Sequence, residues 1–362
     1  MESLVIDTHF WQEKSVLITG HTGFKGSWLS LWLTELGAKV SGYALAPNTQ
    51  PSMYQAIELE TIVDSVTADI SNLARLSEVM QQTQPEVVFH LAAQSLVKPS
   101  YLDPVGTYQI NVMGTVNVLE AVRHCPSVKA VVVVTSDKCY ENHEWSWPYR
   151  ENDRLGGHDP YSNSKSCAEL VTDSYRKSFF ADNETAVATA RAGNVIGGGD
   201  WSDYRLLPDL IRATQTTQAL EIRHPAAIRP WQHVLESLSG YLQLAQKLFE
   251  RGDEVAEAWN FGPVQDDIKP VHYLVEQAQK KWSNFEWYSP SQNEHHEANI
   301  LMLDCSKARQ KLGWQPIWRI DEALSKTFDW YDAFYSGNNM REFSLQQIQQ
   351  FVQATKRYSI TA

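Results

Sequence analysis

The sequence contains no long hydrophobic run and no block of consecutive basic residues. Apolar stretches such as AVVVV at 130–134 are far too short to span a bilayer, and the N-terminal MESLVIDTHF lacks the basic and apolar regions of a signal peptide. The formal net charge is -12, and Lys and Arg form no stripe that could follow a phosphate backbone. We therefore expect a cytoplasmic protein that binds neither a membrane nor a nucleic acid.

Cysteine is scarce and has neither disulfide nor metal-site spacing. The four cysteines, Cys125, Cys139, Cys167 and Cys305, include no CxxC pair, and the HHEA stretch at 295–298 is not an HExxH motif. We expect reduced thiols and no bound metal. The 362 residues are 43% hydrophobic, which is enough to bury a full core in one large domain or two lobes.

The first half of the chain alternates short β-branched runs with longer helical patterns. The nearly continuous apolar runs are SVLIT (15–19), KVSGYAL (39–45), EVVFHLA (86–92) and AVVVVTS (130–136). The helical patterns cover residues 24–36, 71–83, 104–124 and 161–180. Strands buried on both faces have this apolar character. The alternation predicts a doubly wound, parallel α/β sheet.

Beyond residue 192 the pattern becomes less regular, which predicts a second and smaller lobe. The stretch GNVIGGGDWSDYRLLPD is dominated by Gly and Asp, which disfavour a regular strand. AWNFG at 258–262 has the composition of a further strand of the first sheet. We predict a first domain over 1–192, to which the strand at 257–263 returns, and a discontinuous α/β lobe formed by 193–256 and 264–362.

A glycine triplet follows the first predicted strand. In VLITGHTGFKGSWLSLWL, Gly20, Gly23 and Gly26 stand between a strand and a helix. Such a loop turns tightly, approaches a pyrophosphate closely and directs the N–H groups of the helix N-terminus at its negative charge. A purely structural glycine turn is the alternative, but the strand–loop–helix context favours a bound dinucleotide.

The end of the second predicted strand lacks the residue that usually selects between the two dinucleotides. GYALAPNTQP contains no acid for a ribose 2′-hydroxyl, and no Lys or Arg lies between Lys39 and Arg75 for a 2′-phosphate. NAD is therefore favoured over NADP. Asp69, after the third strand, is expected either to accept a hydrogen bond from the adenine amino group or to cap the next helix.

Tyr161 and Lys165 are spaced by one helical turn and lie on one face of a predicted helix. A tyrosine needs a lowered pKa to act as a base near neutral pH, and an ammonium ion one turn away is expected to lower it. The preceding strand ends in TSDK, so Ser136 or Thr135 fits the hydroxyl that positions a substrate. A tyrosine and a lysine on a solvated helix face are the alternative.

Together with HLAAQSLVKPS (90–100) and TYQINVMGTVNVLEA (107–121), these motifs resemble the extended short-chain dehydrogenase/reductase family. The resemblance implies a Rossmann fold, bound NAD, and an asparagine, Asn111, that holds the catalytic geometry from its helix. The residues implied at the cofactor are Gly20, Thr22, Gly23, Phe24, Gly26, Asp69, Ile70, Leu91, Ala92, Ala93, Asn111, Thr135, Tyr161 and Lys165.

Asp137 and Lys138 stand where the fifth strand reaches the predicted cleft. A 4-epimerase or a reductase has no use for acid–base groups beyond the tyrosine, the lysine and a hydroxyl. Elimination of water from a hexose needs two more, because one group removes the C5 proton of a 4-ketone and another protonates the leaving 6-hydroxyl. A surface ion pair at a strand end is the alternative.

Several segments resemble the nucleotide-sugar 4,6-dehydratases, and within them the CDP-sugar branch, which is similar to this chain in carrying Asp-Lys where other branches carry Asp-Glu. These segments are SDKCY (136–140), ALAPNTQPSMY (44–54), ARAGNVIGGGDW (190–201), IRPWQHV (228–234), WNFGP (259–263) and HEANILMLD (296–304). The resemblance implies a lyase that converts CDP-glucose to CDP-4-dehydro-6-deoxyglucose, for deoxysugar and lipopolysaccharide synthesis. It implies that Tyr161 takes the 4-hydroxyl proton, Asp137 protonates the leaving group and Lys138 removes the C5 proton.

Arginine side chains usually hold a nucleoside diphosphate, and the best candidate here is Arg229 in IRPWQHV. Asn194 is expected at the glycosyl phosphate. Trp201 and Trp231 are expected either to stack on the base or sugar or to pack in the core, and His233 either to cap a helix or to contact the ligand. The residues implied at the substrate are Gln94, Arg191, Asn194, Trp201, Arg205, Arg223, Arg229, His233 and His296.

Two other functions remain open. A nucleotide-sugar 4-epimerase would leave Asp137 and Lys138 idle, and a non-catalytic NAD-sensing protein on the same fold would have no use for Tyr161 and Lys165. The cytosine base rests on the resemblance alone. Related enzymes pair the helices that correspond to 104–124 and 161–180, which implies a homodimer or a homotetramer.

Overall fold

The computed structural model describes residues 6–181, 183–216, 219–282, 285–290 and 300–361. The strands are β1 Ser15–Thr19, β2 Lys39–Ala44, β3 Asp64–Thr67, β4 Val87–His90, β5 Ala130–Val134, β6 Ala186–Ala192, β7 Val195–Ile196, β8 Leu220–Glu221, β9 Ile228–Arg229, β10 Gln232–His233, β11 Ala258–Phe261, β12 Lys269–Pro270 and β13 Trp287–Tyr288. The α-helices are α1 Thr8–Trp11, α2 Phe24–Glu35, α3 Met53–Ala56, α4 Leu73–Thr83, α5 Val97–Leu102, α6 Pro104–Tyr108, α7 Gly114–Arg123, α8 Pro160–Tyr175, α9 Leu206–Thr214, α10 Val234–Arg251, α11 Val271–Lys281, α12 Ile320–Tyr335 and α13 Met340–Thr361.

One parallel sheet of seven strands, in the order β11-β6-β5-β4-β1-β2-β3, forms the centre of the fold. Every residue of β4, β5 and β6 is buried, because helices cover both faces of the sheet. The predicted doubly wound, parallel α/β fold is confirmed. The strand order reverses between β1 and β4, so the carboxyl ends of these two strands border the crevice in which such sheets bind ligands.

The helix that carries the Tyr-x-x-x-Lys pair, α8, begins at Pro160 with Asp159 as its N-cap, where the Asp159 carboxylate accepts from Ser162 N. The sequence predicts unbroken helices over 104–124 and 161–180. Each instead contains a π-helical turn, at Gln109–Met113 and at Arg176–Phe180. These turns each insert a residue into the helical repeat and so redirect the side chains near them.

The strand predicted over AWNFG at 258–262 is β11, which pairs with β6 at one edge of the sheet. Helix α10 lies in the stretch that the sequence assigns to the second lobe, but it packs against β5, β6 and α2. Its apolar face, which includes Leu235, Leu238 and Leu242, is fully buried there. No helix within the described ranges has the length and apolar character needed to cross a membrane.

A histidine of the glycine loop is inserted beneath the second strand. The imidazole of His21 is fully buried, with Nε2 2.6 Å from Ser65 Oγ of β3 and its ring edge-on to Tyr54. Burial lowers the pKa of His21 to about 4, so the ring is neutral at physiological pH. A Cβ placed on Gly42 of β2 would lie 2.3 Å from this ring. Gly42 therefore leaves the space that the imidazole fills.

We expect Gly42→Ala to lower the free energy of unfolding by about 1–3 kcal/mol, because the added methyl group overpacks His21. Urea unfolding monitored by circular dichroism measures this change. His21→Ala in the same chain should recover most of the loss, since it removes the ring that the methyl group meets. Ser41→Ala on the same strand is the control, and an equal loss there would contradict the steric explanation.

Candidate active site

A cavity of about 630 Å³ opens at the carboxyl ends of the central strands. Its walls are the glycine loop, the turn after β3, the segment after β4, the end of β5, the first turns of α8 and parts of the chain between 192 and 231. This is the position in which doubly wound sheets bind dinucleotides. The sheet edge and the less regular second half of the chain therefore form one site.

The glycine loop has the backbone geometry that a pyrophosphate requires. Gly20 adopts φ +80°, and a Cβ on Gly26 would lie 2.1 Å from the carbonyl oxygen of Gly20. Gly23 precedes α2 and offers no side-chain cap, so the N–H groups of the first turn of α2 stay open to the cavity. These features fit a dinucleotide.

Most of the residues predicted at the cofactor line this cavity. They are Gly20, Thr22, Gly23, Phe24, Gly26, Asp69, Ile70, Leu91, Ala92, Ala93, Thr135, Tyr161 and Lys165. Asn111 is not among the lining residues. From the π-helical turn, its Nδ2 donates to Gln94 O at 2.9 Å and to Ser164 Oγ at 2.8 Å. Asn111 therefore ties the wall after β4 to helix α8, from behind the cavity.

Asp69 lines the cavity and does not cap the next helix. The N-cap of α4 is Asn72, whose side chain accepts from Arg75 N. Asp69 Oδ1 accepts from Ser71 N at 2.8 Å, and the hydrogen bonds from Ser71 lower the pKa of this carboxyl. Asp69 is therefore an ionised acceptor at the end of β3 at neutral pH. At the end of β2, where an acid is absent, Asn48 contributes to the wall.

Tyr161, Lys165 and Ser136 converge in the cavity. Burial raises the pKa of Tyr161 to about 12, and a hydrogen bond with Ser136 opposes this rise. Lys165 Nζ donates to Val134 O at 3.3 Å, and burial lowers the pKa of Lys165 to about 8. The sequence predicts that Lys165 lowers the pKa of Tyr161. In the structure the opposite sign prevails, because both groups are removed from water and burial disfavours both charged forms.

Asp137 and Lys138 line the same cavity, which excludes the surface ion pair. Asp137 is buried, with Oδ1 accepting from Ser136 Oγ at 3.0 Å, while Oδ2 has no hydrogen-bond partner among the described residues. Burial raises the pKa of Asp137, against the opposing effect of Lys138 and Ser136. A buried carboxyl with a raised pKa and an unpaired oxygen can donate a proton to a ligand.

Lys25, in the first turn of α2 directly after the glycine loop, is a functional candidate that the sequence analysis did not single out. Its side chain lines the cavity, and burial lowers the pKa of Lys25 to about 7, assisted by the positive charges of Arg205 and Lys165. Asp137 is among the acidic groups that oppose this shift. The signal available in the sequence is the lysine in GFKG, where a charged side chain follows a loop built for close contact with phosphate.

On the substrate side, the cavity wall contains Gln94, Asn194, Arg205, Arg223 and Arg229. Arg205 Nη1 donates to Asp200 Oδ2 at 2.8 Å and Nη2 to Ser95 Oγ at 3.2 Å, which holds the guanidinium at the wall. The Arg229 side chain is buried, and its Nη1 donates to the carbonyl oxygen of Ile228 at 2.9 Å. Trp231 also lines the cavity, with its indole N–H bound to Lys269 O.

Arg191 is a structural cation, although the sequence predicts it at the substrate. It lies on β6 and is buried away from the cavity wall. Its Nη2 contacts Glu169 Oε2 at 2.7 Å, and its Nη1 donates to Tyr140 Oη at 2.8 Å. Alternation along a strand directs neighbouring side chains to opposite faces, and Arg191 points to the face covered by α8.

Trp201 and His233, also predicted at the substrate, pack in the core. The Trp201 ring contacts Trp330, Tyr331 and Phe334 of α12. His233 has no exposed surface, and its Nδ1 accepts from Leu235 N at the start of α10, so the capping alternative is the observed one. His296 lies outside the described residues.

The sheet order, the glycine loop and the Tyr161–Lys165 pair define a Rossmann-type protein of the extended short-chain dehydrogenase/reductase class. A family model described as GDP-mannose 4,6 dehydratase matches residues 17–327. A curated CDP-glucose 4,6-dehydratase from Salmonella typhimurium is 49% identical over 359 residues, which cover 98% of this chain and 100% of that protein. The chain therefore belongs to the nucleotide-sugar 4,6-dehydratase family, which bears out the resemblance seen in its sequence.

More distant relatives have the same fold. A dTDP-glucose 4,6-dehydratase from Xanthomonas campestris is 25% identical over 342 residues, covering 87% of this chain and 92% of that protein. Among solved structures, an epimerase from Methanothermobacter thermautotrophicus has a TM-score of 0.79 at 22% identity, with 94% and 97% of the two chains covered. A dTDP-glucose 4,6-dehydratase from Bacillus anthracis, solved with NAD, has a TM-score of 0.74 at 21% identity and covers 91% of this chain and 99% of that chain.

The placement of Trp201 leads to a stability test. We expect Trp201→Ala to lower the free energy of unfolding by about 3–5 kcal/mol, because it removes a ring packed among three aromatic neighbours. Denaturant unfolding followed by far-UV circular dichroism measures the loss. Trp147→Ala is the matched control, because that ring is 72% exposed, and it should change stability little. Equal stability of the two variants would show that Trp201 is not a core residue.

Proposed function

We propose that this protein is a CDP-glucose 4,6-dehydratase. The observation that carries the proposal is Asp137, a buried carboxyl whose Oδ2 has no hydrogen-bond partner in the described part of the chain, in one cavity with Lys138, Tyr161 and Lys165. The relative from Salmonella typhimurium, similar over nearly the whole chain, is a protein of that activity. The product is the CDP-4-keto-6-deoxy sugar, which is formed by loss of water across C5 and C6.

NAD is the cofactor of this proposal. The N–H groups at the start of α2 bind its pyrophosphate, Asp69 accepts from its adenine, and Ala92 and Ala93 line its path to the catalytic residues. The sequence has no Lys or Arg between Lys39 and Arg75 that could bind a 2′-phosphate at the end of β2, which favours NAD over NADP. When bound, NAD would supply the hydride chemistry, with C4 of the sugar as the hydride donor and C6 as its final acceptor.

Tyr161 is the proposed base for the 4-hydroxyl of the sugar. Its phenol hydrogen bonds with Ser136, so Ser136 can orient both the tyrosine and the sugar hydroxyl. Because burial raises the pKa of Tyr161 to about 12, the phenolate needs positive charge nearby when it forms. Lys165, on the same face of α8, supplies one such charge when it is protonated.

Asp137 is the proposed acid for the 6-hydroxyl that leaves as water. Burial raises the pKa of Asp137, so this carboxyl holds a proton more readily than an exposed aspartate does. Oδ1 is occupied by Ser136, whereas Oδ2 has no hydrogen-bond partner among the described residues, so we assign the proton transfer to Oδ2. Asp137 thus serves the hydroxyl at C6. Removal of the proton at C5 needs a separate base.

Lys138 is the proposed base at C5, next to the acid in sequence and in the same cavity wall. A lysine acts as a base only when a substantial fraction of it is neutral. Lys25 meets that condition, since burial lowers the pKa of Lys25 to about 7. Lys25 is therefore the second candidate for this proton transfer, and the experiment below distinguishes the two.

The nucleoside diphosphate is held by the arginine side of the cavity. Arg229 and Arg205 provide guanidinium groups for the phosphates, with Asn194 at the glycosyl phosphate and Arg223 on the outer wall. Trp231 is available to the base or sugar. CDP rather than another nucleotide rests on the similarity to the Salmonella typhimurium protein.

A homodimer or homotetramer is part of the proposal. Large apolar side chains are exposed on helices α5 to α8 and the π turns within them, among them Leu102, Val105, Met113, Leu170 and Phe179. An apolar face of this kind favours a partner helix pair.

A cytoplasmic location accords with four cysteines that form no disulfide.

Turnover of sugar nucleotides tests the function directly. We expect CDP-glucose, and not dTDP-, UDP- or GDP-hexoses at equal concentration, to give the absorbance of a 4-keto sugar in base. Mass spectrometry should show a product that has lost one water. A product of unchanged mass would identify a 4-epimerase, and tight NAD binding without turnover of any sugar nucleotide would identify a non-catalytic sensor.

Exchange of the C5 proton tests the division of labour in the elimination. We expect Lys138→Met to form the 4-ketone but to exchange the C5 hydrogen with solvent deuterium at least about a hundredfold more slowly, since it lacks the base. Mass spectrometry of recovered sugar measures the exchange. Normal exchange in Lys138→Met contradicts the assignment, and its loss in Lys25→Met alone would assign the base to Lys25.

A further inference from the structure

Glu169 forms the centre of a buried network behind the catalytic helix. It lies one turn beyond Lys165 on α8 and is 3% exposed. Its Oε2 accepts from Thr189 Oγ1 and from Arg191 Nη2, each at 2.7 Å, and its Oε1 accepts from Thr135 Oγ1. One carboxylate thus joins α8 to the residue after β5 and to β6.

We propose that Glu169 is a positioning residue for the dehydration: it fixes α8 against the end of β5 and supplies the negative charge that faces Lys165. This inference rests on the proposed function for its role in catalysis. The effect of the Glu169 charge on the ionisation of Lys165 is a property of the free protein, so it can be measured without substrate.

The proposed role of Glu169 in fixing α8 against β5 follows from the order of residues after β5. Thr135, held by Glu169, directly precedes Ser136 and Asp137. Ser136 in turn bonds to Asp137 Oδ1 and interacts with Tyr161. The carboxylate therefore connects the helix that carries Tyr161 and Lys165 to the segment that carries the proposed acid. A shift of Thr135 relative to α8 would separate groups that must act on one sugar.

The proposed effect of the Glu169 charge on Lys165 follows from the groups that surround Lys165. Glu169 on its own helix favours the charged form of Lys165, while burial opposes it. The neighbouring Lys25 of α2 carries a like charge when it is protonated. Burial lowers the pKa of His90 on β4 to about 3 and raises that of the Cys139 thiol, so both are neutral. Glu169 is thus the one anion among these described neighbours.

Glu169 itself is ionised. Burial acts to raise the pKa of Glu169, but Arg191 and the hydroxyl groups of Thr135 and Thr189 hold it below the usual value. Arg191 approaches the carboxylate from β6, whereas Lys165 lies on the same helix as Glu169. Loss of the carboxylate charge would leave Arg191 and Lys165 as like charges in one buried region.

Glu169→Gln keeps the shape of the side chain and removes its charge. Because the folded pKa of Lys165 would fall, the alkaline limb of the kcat profile should move to lower pH by about one unit or more. Above that limb kcat falls about tenfold per unit, with KM for CDP-glucose changed less than about threefold. In cofactor-free protein, the NMR titration of ε-13C-labelled lysine, with the Lys165 signal assigned by Lys165→Met, should show the same shift.

Glu236→Gln is the control for loss of a buried carboxyl group as such, because the Glu236 side chain is also fully buried but accepts from Ile317 N and Trp318 N outside the cavity, and burial raises the pKa of Glu236 to about 8. Glu236→Gln should leave the alkaline limb of the kcat profile unchanged. Glu169→Asp, which keeps the charge and shortens the reach to Thr135, should retain the wild-type limb with a lowered kcat. If Glu169→Gln does not fold, Glu169→Asp still tests the proposal. A shift of the alkaline limb of the kcat profile in Glu169→Asp would overturn the proposed role of the Glu169 charge.

An unshifted limb and an unshifted Lys165 titration in Glu169→Gln would overturn the inference, as would an equal shift in Glu236→Gln. If the wild-type protein does not turn over CDP-glucose, the proposed function fails, but the NMR titration still decides whether Glu169 sets the charge of Lys165. The two failures are therefore distinguishable.

Discussion

The burial of ionisable side chains at the carboxyl edge of one parallel sheet is the constraint on which this site depends. Tyr161, Lys165, Asp137 and Lys25 are all removed from water by the same converging elements. Burial disfavours the charged form of each, which raises the pKa of the acids and lowers that of the lysines. The lowered pKa values of Lys25 and Lys165 and the raised pKa of Asp137 suit these groups to proton exchange with a sugar, whereas the raised pKa of Tyr161 keeps its phenol neutral until positive charge stabilises the phenolate.

The surrounding structure holds these groups in place through a few polar contacts. Asn111 ties the wall after β4 to α8, and Glu169 joins α8 to β5 and β6. Arg205 is held by Asp200, whose carbonyl oxygen accepts from Tyr331 of α12. The second half of the chain thus supports the substrate side of the cavity through the aromatic residues of α12, while α10 covers the sheet from behind.

Particular residues show how far the sequence could be interpreted alone. The glycine loop and the Tyr161–Lys165 pair were found because each is a short motif whose spacing follows from helix and loop geometry. Arg191 was placed at the substrate, and Trp201 either there or in the core, because their residue types suit phosphate and sugar. In the structure Arg191 contacts Glu169, which is 22 residues away in the sequence, and Trp201 contacts Trp330, which is 129 residues away. No local sequence pattern indicates such contacts. Lys25 was overlooked for the same reason, since Arg205 and Asp200, whose charges act on its pKa, lie far from it in the sequence.

The amino-acid order by itself determined the parallel sheet, the dinucleotide loop, the family and the residue types offered for catalysis, because periodicity and short spacings express local backbone geometry. Only the tertiary structure decided that Arg191 and His233 serve the core, that Asp137 Oδ2 lacks a hydrogen-bond partner among the residues described, and that the pKa of Tyr161 is raised rather than lowered. These outcomes depend on burial and on partners brought together by folding, which are properties of the packed chain and not of any segment within it.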